Sequence, residues 1–232
     1  ADVLAIYQQL RQAGYTDDRI ILIVEDDIAD NVSNPNKGVI QVTIGGNNVY
    51  ENVEIDYRMS SLKAKDILAI LNGEKSESLP TVIESTENDN LFVFWSGHGV
   101  PGAMCWDEEP YAMTGDDLST VFKDMNLKRR YRKLLMMVEA CFSGGVMEQC
   151  EGIPGMLFIT AANGDETSKA DVFNGEMKVW MSNRFTSTFI EQITDNKDVA
   201  MRDLYYRLFI NTVGSHVMVY NCLLYTSDAA DE

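Results

Sequence analysis

Apolar residues recur along the chain in two rhythms. Val3, Ile6, Tyr7 and Leu10 fall at helical spacing with Gly14 as a stop, which predicts a helix over residues 3–13. RIILIV, residues 19–24, is a continuous apolar run rich in β-branched side chains and predicts a buried parallel strand. The polar stretch that follows, EDDIADNVSNPNKG, carries Asn and Pro punctuation and reads as a loop. VIQVTIGGNNVYENV, residues 39–53, reads as a small hairpin closed by Gly-Gly-Asn-Asn. Ser60 or Ser61 is expected to cap a helix reaching Asn72, with Leu62, Ile67, Leu68 and Leu71 on its inner face.

The second half repeats the alternation. LFVFW (91–95), LLMMV (134–138) and MLFIT (156–160) predict three strands that are apolar throughout. GDDLSTVFKDM predicts a helix between the first two, its Asp116 and Asp117 suited to the positive N-terminus. Further helices are expected near 183–194 and 199–212. Strands of this kind alternating with amphipathic helices mean one α/β domain, a parallel sheet covered on both faces. No internal repeat or linker interrupts it.

Composition narrows the partners. The 232 residues are 45% hydrophobic and 24% charged, with a formal net charge of -17. That balance argues against a nucleic-acid backbone as ligand. The one basic run, LKRRYRK at 127–133, reads as the solvated end of a helix leading into the next strand. No stretch approaches the roughly 20 apolar residues of a membrane span. The acidic EDD at 25–27 lacks the alternation of a calcium loop and reads as solvated loop, so no metal is expected. Cys105, Cys141 and Cys150 show no CxxC spacing, which points to neither a disulfide framework nor a zinc site. No cofactor is indicated.

Two loops carry chemistry. SGHGVPG (96–102) follows LFVFW, and EACFSGG (139–145) follows LLMMV. Loops at the carboxyl ends of parallel strands are where sites form in such sheets. Each sets a reactive side chain among small residues, and the two strands are expected to be neighbours. A cysteine attacks as its thiolate, and a nearby imidazole lowers its pKa and can protonate a leaving amine. Backbone N–H groups of Gly99 and Cys141 are candidates to hold the resulting oxyanion. Taken singly, Cys141 also reads as a small buried hydrophobe and His98 as an ordinary polar group. His216, in GSHVMVYN, reads as structural or as a margin of the site.

SGHG followed by EACFSGG resembles the legumain-type (asparaginyl endopeptidase, C13-like) cysteine peptidases, and more distantly the catalytic subunit of GPI transamidase. EDDIADNVSNPNKGVI, VYENVEIDYR, ILAILNG, MLFITAANGDETS and GSHVMVYN extend the likeness over most of the chain. The resemblance implies a caspase-like three-layer sandwich, a mainly parallel sheet flanked by helices. It implies His98 as general acid/base, Cys141 as nucleophile and Gly99 as an oxyanion donor beside Cys141. Glu139, Thr167, Ser168 and Asn183 would line the pocket for the side chain preceding the cleaved bond. Asn183 stands where the family has an acidic residue, which leaves the preference for Asn open. Cys105 and Trp106 are candidates to wall the site.

The expected function is therefore a cysteine endopeptidase acting on a peptide or protein through a thioester, with cleavage after Asn or Asp. A transamidase or peptide ligase on the same dyad, and a non-catalytic binding module of the same fold, are the alternatives. A redox-sensing Cys141 resolved by Cys150 is a third. The resemblance also implies a strand before residues 1–14 and further pocket groups upstream that this chain lacks, so low stability and weak activity are expected of it alone. Residues 1–221 are read as the catalytic domain. CLLYTSDAADE, 222–232, is similar to the frame translation of a sequencing adapter and is set apart from the fold. The compartment stays open, an exported or cell-envelope location being compatible with the residues.

Overall fold

The computed structural model of the chain describes residues 1–105, 112–195 and 198–222. In chain order the elements are α1 (Asp2–Gln12), β1 (Ile23–Val24), β2 (Tyr57–Arg58), α2 (Ala64–Leu71), β3 (Asn90–Ser96), β4 (Gly99–Val100), β5 (Ala103–Cys105) and β6 (Ala112–Thr114). There follow α3 (Gly115–Leu127), β7 (Lys133–Glu139), α4 (Ser143–Met147), β8 (Met156–Thr160), β9 (Ala170–Asn174), β10 (Val179–Asn183), α5 (Arg184–Asp195), α6 (Met201–Asn211) and β11 (Met218–Tyr220).

The central sheet has the order β11-β8-β7-β3. β3, β7 and β8 run parallel, and β11 closes one edge antiparallel to β8. Alternation along β7 shows why its sequence is apolar throughout. Leu134, Met136 and Val138 pack with Leu118, Phe122 and Met125 of α3, while Leu135 and Met137 face Phe185, Phe189, Leu204 and Leu208 of α5 and α6. Side chains of a strand point to opposite faces, and both faces here are covered by helices. The expected sheet, its three long strands and the helices α3, α5 and α6 all stand where the apolar patterning put them.

Thr114 begins α3 with a reciprocal cap: its Oγ1 accepts from Asp117 N–H at 3.2 Å, and Asp117 Oδ2 accepts from Thr114 N–H at 3.0 Å. The basic run 127–133 is indeed the end of α3 and the lead into β7.

Three expectations fail. RIILIV forms only the two-residue β1, paired with β2. Asp17–Arg19 is a 3-10 turn, and Leu22 N–H is taken by the Asp56 carboxylate at 2.8 Å rather than by a strand. Between β1 and β3 lies a cavity of about 1770 Å³, lined on one side by Ile21 and Ile23 and on the other by Leu91, Val93 and Trp95. With no ladder across it, the apolar run has too few partners to extend. Residues 39–53 form no hairpin. The Asn48 amide takes Ile40 N–H at 2.9 Å and gives to Gly38 carbonyl at 3.0 Å, so a side chain replaces the strand partner. Ile40 and Val49 still reach a third core cluster with Leu4, Tyr7, Leu22 and Val24. Finally, Ser60 and Ser61 sit in a 3-10 turn, and α2 starts beyond them, with Lys63 N–H capped by Asp66 at 2.8 Å.

Two small sheets went unread in the sequence: the meander β4-β5-β6 and the hairpin β9-β10. Both flank the carboxyl end of the central sheet.

Candidate active site

Ser96 and Glu139 are the last aligned pair of β3 and β7. The chain therefore leaves both strands at one end of the sheet, and the loops beginning at Gly97 and Ala140 start side by side. Gly97 N–H donates to the Glu139 carbonyl at 3.0 Å, tying them together. His98 follows, exposed, its carbonyl accepting from Cys105 N–H at 2.9 Å. That bond folds the histidine loop back on β5, so Cys105 braces the loop. Trp106 lies outside the described residues.

Gly99 shows how close the two loops come. A Cβ built on it would stand 2.0 Å from the Cys141 carbonyl oxygen and 3.3 Å from Ala140 Cβ. Backbone cannot yield to such an atom, so only glycine fits beside the cysteine.

Cys141 is half-buried and is followed by Phe142 at φ 55, a left-handed residue that turns the chain sharply into α4. Phe142 N–H donates to Glu166 carbonyl at 2.8 Å and Gly144 N–H to Ala162 carbonyl at 3.0 Å. A Cβ on Gly144 would meet Tyr220 Oη at 2.7 Å and Asn163 backbone at 2.9 Å. The small residues after the cysteine thus let its turn pack against the 161–166 loop. Cys141 Sγ and Ser168 Oγ are 3.9 Å apart.

Glu139 is 1% exposed. Its Oε2 accepts from the backbone N–H of Thr186, in the first turn of α5, at 3.1 Å and from Thr186 Oγ1 at 3.2 Å. It therefore does cap a helix locally, one of the roles open to a strand-end acid. Its Oε1, also buried, has no partner among the described residues. Burial, and then the nearby Asp2 carboxylate, push its pKa up to about 8, with the Thr186 hydrogen bonds and the nearby Ser168 hydroxyl pulling partly back. Burial therefore favours the protonated, neutral form of Glu139.

Asn183, the last residue of β10, is held by Asp2. Its Nδ2 donates to Asp2 Oδ2 at 2.5 Å and its backbone N–H to Asp2 Oδ1 at 3.3 Å. Ser96 Oγ donates to the same Asp2 Oδ2 at 3.0 Å. Asp2, Ser96 and Asn183 thus form one hydrogen-bonded group and Glu139 and Thr186 another, the two coupled through the charge of Asp2 near Glu139. Asp2, Ser96 and Thr186 were missed in the sequence, the only hint being an acid at the start of α1.

Thr167 stands apart from both groups: it is exposed and its Oγ1 accepts from Lys169 Nζ at 3.0 Å. His216 Nδ1 pairs with Glu166 Oε2 at 3.0 Å, bracing the loop that holds Phe142. Cys150 is fully buried and burial pushes its thiol up to about 12, so it supplies no resolving thiolate for Cys141. Asp26 of the EDD stretch is not solvated, since its carboxylate takes Arg58 Nη2 at 2.8 Å and Tyr50 Oη at 2.6 Å. Among the described residues no group of three or more His, Cys, Asp or Glu could hold a metal, and no helix is long and apolar enough to cross a membrane.

A sequence profile of the peptidase C13 family matches residues 1–231. The chain is 30% identical to legumain of Rattus norvegicus over 227 residues, which is 95% of this chain and 52% of that protein. It is 36% identical to a vacuolar-processing enzyme of Ricinus communis over 172 residues, 72% of this chain and 34% of that one. It thus spans about half the length of these relatives, or less. A crystal structure of caspase-1 from Spodoptera frugiperda superposes with a TM-score of 0.52, covering 87% of this chain and 85% of that one at 12% identity. The fold is caspase-like.

Proposed function

This chain belongs to the peptidase C13 family, and from that premise we propose that it is the catalytic domain of a legumain-like cysteine endopeptidase that cleaves after Asn. The observation that carries the reading is the adjoining of the two loops: the aligned strand ends Ser96 and Glu139, and the backbone contact of Gly99 on Cys141. In the proposed reaction Cys141 Sγ attacks the peptide carbonyl carbon. Backbone N–H groups of Gly99 and Cys141 hold the oxyanion, and His98 protonates the departing amine. Water then attacks the thioester, returning the thiol and releasing a carboxylate.

The pocket chemistry supports a carboxamide side chain before the cleaved bond. Glu139 Oε2 already accepts two hydrogen bonds, so the proton of the neutral acid sits on Oε1, a donor with no protein partner among the described residues. Asn183 spends its NH₂ on Asp2, which leaves its Oδ1 as an acceptor. A donor and an acceptor together match the oxygen and NH₂ of Asn. Ser168, near both Cys141 and Glu139, is a further pocket hydroxyl, while Thr167 is turned toward Lys169.

The test is kinetic and analytical. Peptides identical but for Asn, Asp, Gln or Leu before the scissile bond are incubated with the protein and its Cys141→Ala and His98→Ala variants. Mass spectrometry should find cleavage after Asn, lost in both variants. An added amine tells hydrolysis from transamidation, since amide product in place of acid would assign the site to the ligase alternative. Cleavage that survives Cys141→Ala would remove the proposal.

A further inference from the structure

Three donors converge on the Asp2 carboxylate: the side-chain and backbone nitrogens of Asn183 and the hydroxyl of Ser96. Asp2 is 4% exposed, at the first residue of α1, and 181 positions from Asn183. Ser96 ends β3 and Asn183 ends β10, so one buried carboxylate joins a helix start to the ends of two sheets.

An ionised carboxylate only accepts hydrogen bonds. An Asn amide has one oxygen and one nitrogen, nearly equal in shape, and its preferred orientation is set by what faces it. Against Asp2 the oxygen would meet like partial charge at hydrogen-bond distance, so the nitrogen must turn to Asp2 and the oxygen away. The Oε1 of Glu139, near Asp2, is buried without a partner among the described residues, a polar atom that a ligand group in the proposed pocket would satisfy.

We infer that Asp2 is a specificity-positioning residue: by fixing the orientation of the Asn183 amide, it makes the pocket present an acceptor beside the Glu139 donor, and so selects a carboxamide over a carboxylate side chain. It acts through Asn183 and does not itself touch substrate. The inference rests on the carboxamide pocket proposed above. Its proximity to Glu139 works in the same direction, since the Asp2 charge helps hold the Glu139 proton.

The test is the ratio of kcat/KM for otherwise identical peptides carrying Asn or Asp before the scissile bond, at pH 6. In Asp2→Asn, the new amide sets an NH₂ against the donors of Asn183, which frees the Asn183 amide to flip. The pocket then offers two donors, which suits a carboxylate, and the Asn:Asp ratio should fall by about tenfold or more. The double variant Asp2→Asn/Asn183→Asp reverses the pair: the amide now at position 2 donates to the carboxylate introduced at position 183, and an acceptor again faces the pocket. Its ratio should return to within about threefold of the starting value. A purely structural role for Asp2 predicts lower rates with both peptides and no restoration by the double variant, and that result overturns the inference. So does an unchanged ratio in Asp2→Asn. If Asp2→Asn does not fold, the double variant decides alone, native ratio supporting and altered ratio overturning. Cleavage of neither peptide by the unaltered chain would instead bring down the peptidase reading, and the inference with it.

Discussion

Glu139 and Thr186 meet across 47 positions of sequence: one carboxyl oxygen of Glu139 holds the N–H and hydroxyl of Thr186 while the other is buried without a protein partner among the described residues. One side chain thereby stitches β7 to α5, and in the proposed site its protonation state would link stability to recognition.

The first consequence concerns stability against pH. The folded-state pKa of about 8 lies above the ordinary 4.5. Below pH 4.5 both folded and unfolded chains hold this proton, and the group's contribution is fully present. Between about 4.5 and 8 the unfolded chain releases it while the folded chain keeps it, so stability falls as pH rises; above about 8 the decline stops. Glu139→Gln keeps an acceptor for Thr186 and a donor for the pocket without a titration. Thermal melts from about pH 4 to 9 should show the wild type losing ground to this variant by on the order of a few kcal/mol at pH 8, at roughly 2–4 °C per kcal/mol. Parallel curves for the two proteins would show that Glu139 titrates normally.

Recognition should follow the same titration. In the proposed pocket, ionisation of Glu139 would remove the Oε1 donor and set a negative charge beside the substrate. kcat/KM for an Asn peptide should fall roughly 10- to 100-fold above about pH 8 in the wild type, in addition to any fall shared with Glu139→Gln. A wild-type profile that superimposes on the variant's would contradict the pocket assignment.

Gly99 gives a steric prediction. Gly99→Ala sets a Cβ 2.0 Å from the Cys141 carbonyl oxygen, and neither backbone can give way without displacing a loop. The expected cost is about 1–3 kcal/mol in stability and on the order of 100-fold in kcat. Gly175→Ala, where nothing lies within 4 Å of the added atom, is the control and should change neither. Full activity in Gly99→Ala would mean that the two loops do not approach as described.

Hydrogen exchange tests the sheet. β7 is bonded on both sides, to β3 and β8, while β3 pairs with β7 alone among the described residues and turns its other edge to the large cavity. Amides of 134–138 should exchange far more slowly than the alternate amides of 91–95 that point away from β7. Equal protection of all β3 amides would show that this edge is covered.

Much of this was legible in the residues, for physical reasons that differ by element. LLMMV and MLFIT had to be buried strands because five consecutive apolar side chains can be covered only in a two-faced sheet. SGHG and EACFSGG declared themselves by coupling a reactive side chain to a small-residue turn. RIILIV carried the same apolar signal, yet its ladder depends on partners that lie across a cavity. GGNN looked like a hairpin turn, but whether Asn48 bonds backbone or leaves it to a strand is decided in three dimensions. β9 and β10, mixed in polarity and five residues each, gave no periodic signal strong enough to read. Asp2, Ser96 and Thr186 are ordinary polar residues whose roles come from contacts tens of positions away. Their meaning lies in Glu139 and Asn183, and no local pattern encodes it.

Covalent capture shows whether Cys141 is a nucleophile served by His98 in a peptide-accepting site. The protein is treated with a peptidyl chloromethyl ketone ending in Asn, digested, and mapped by mass spectrometry. A single thioether is expected at Cys141, formed much more slowly in His98→Ala and blocked by excess Asn-containing peptide, with Cys150 unlabelled in its buried site. No adduct at Cys141, or labelling there that is indifferent to both His98 and the peptide, would contradict that role.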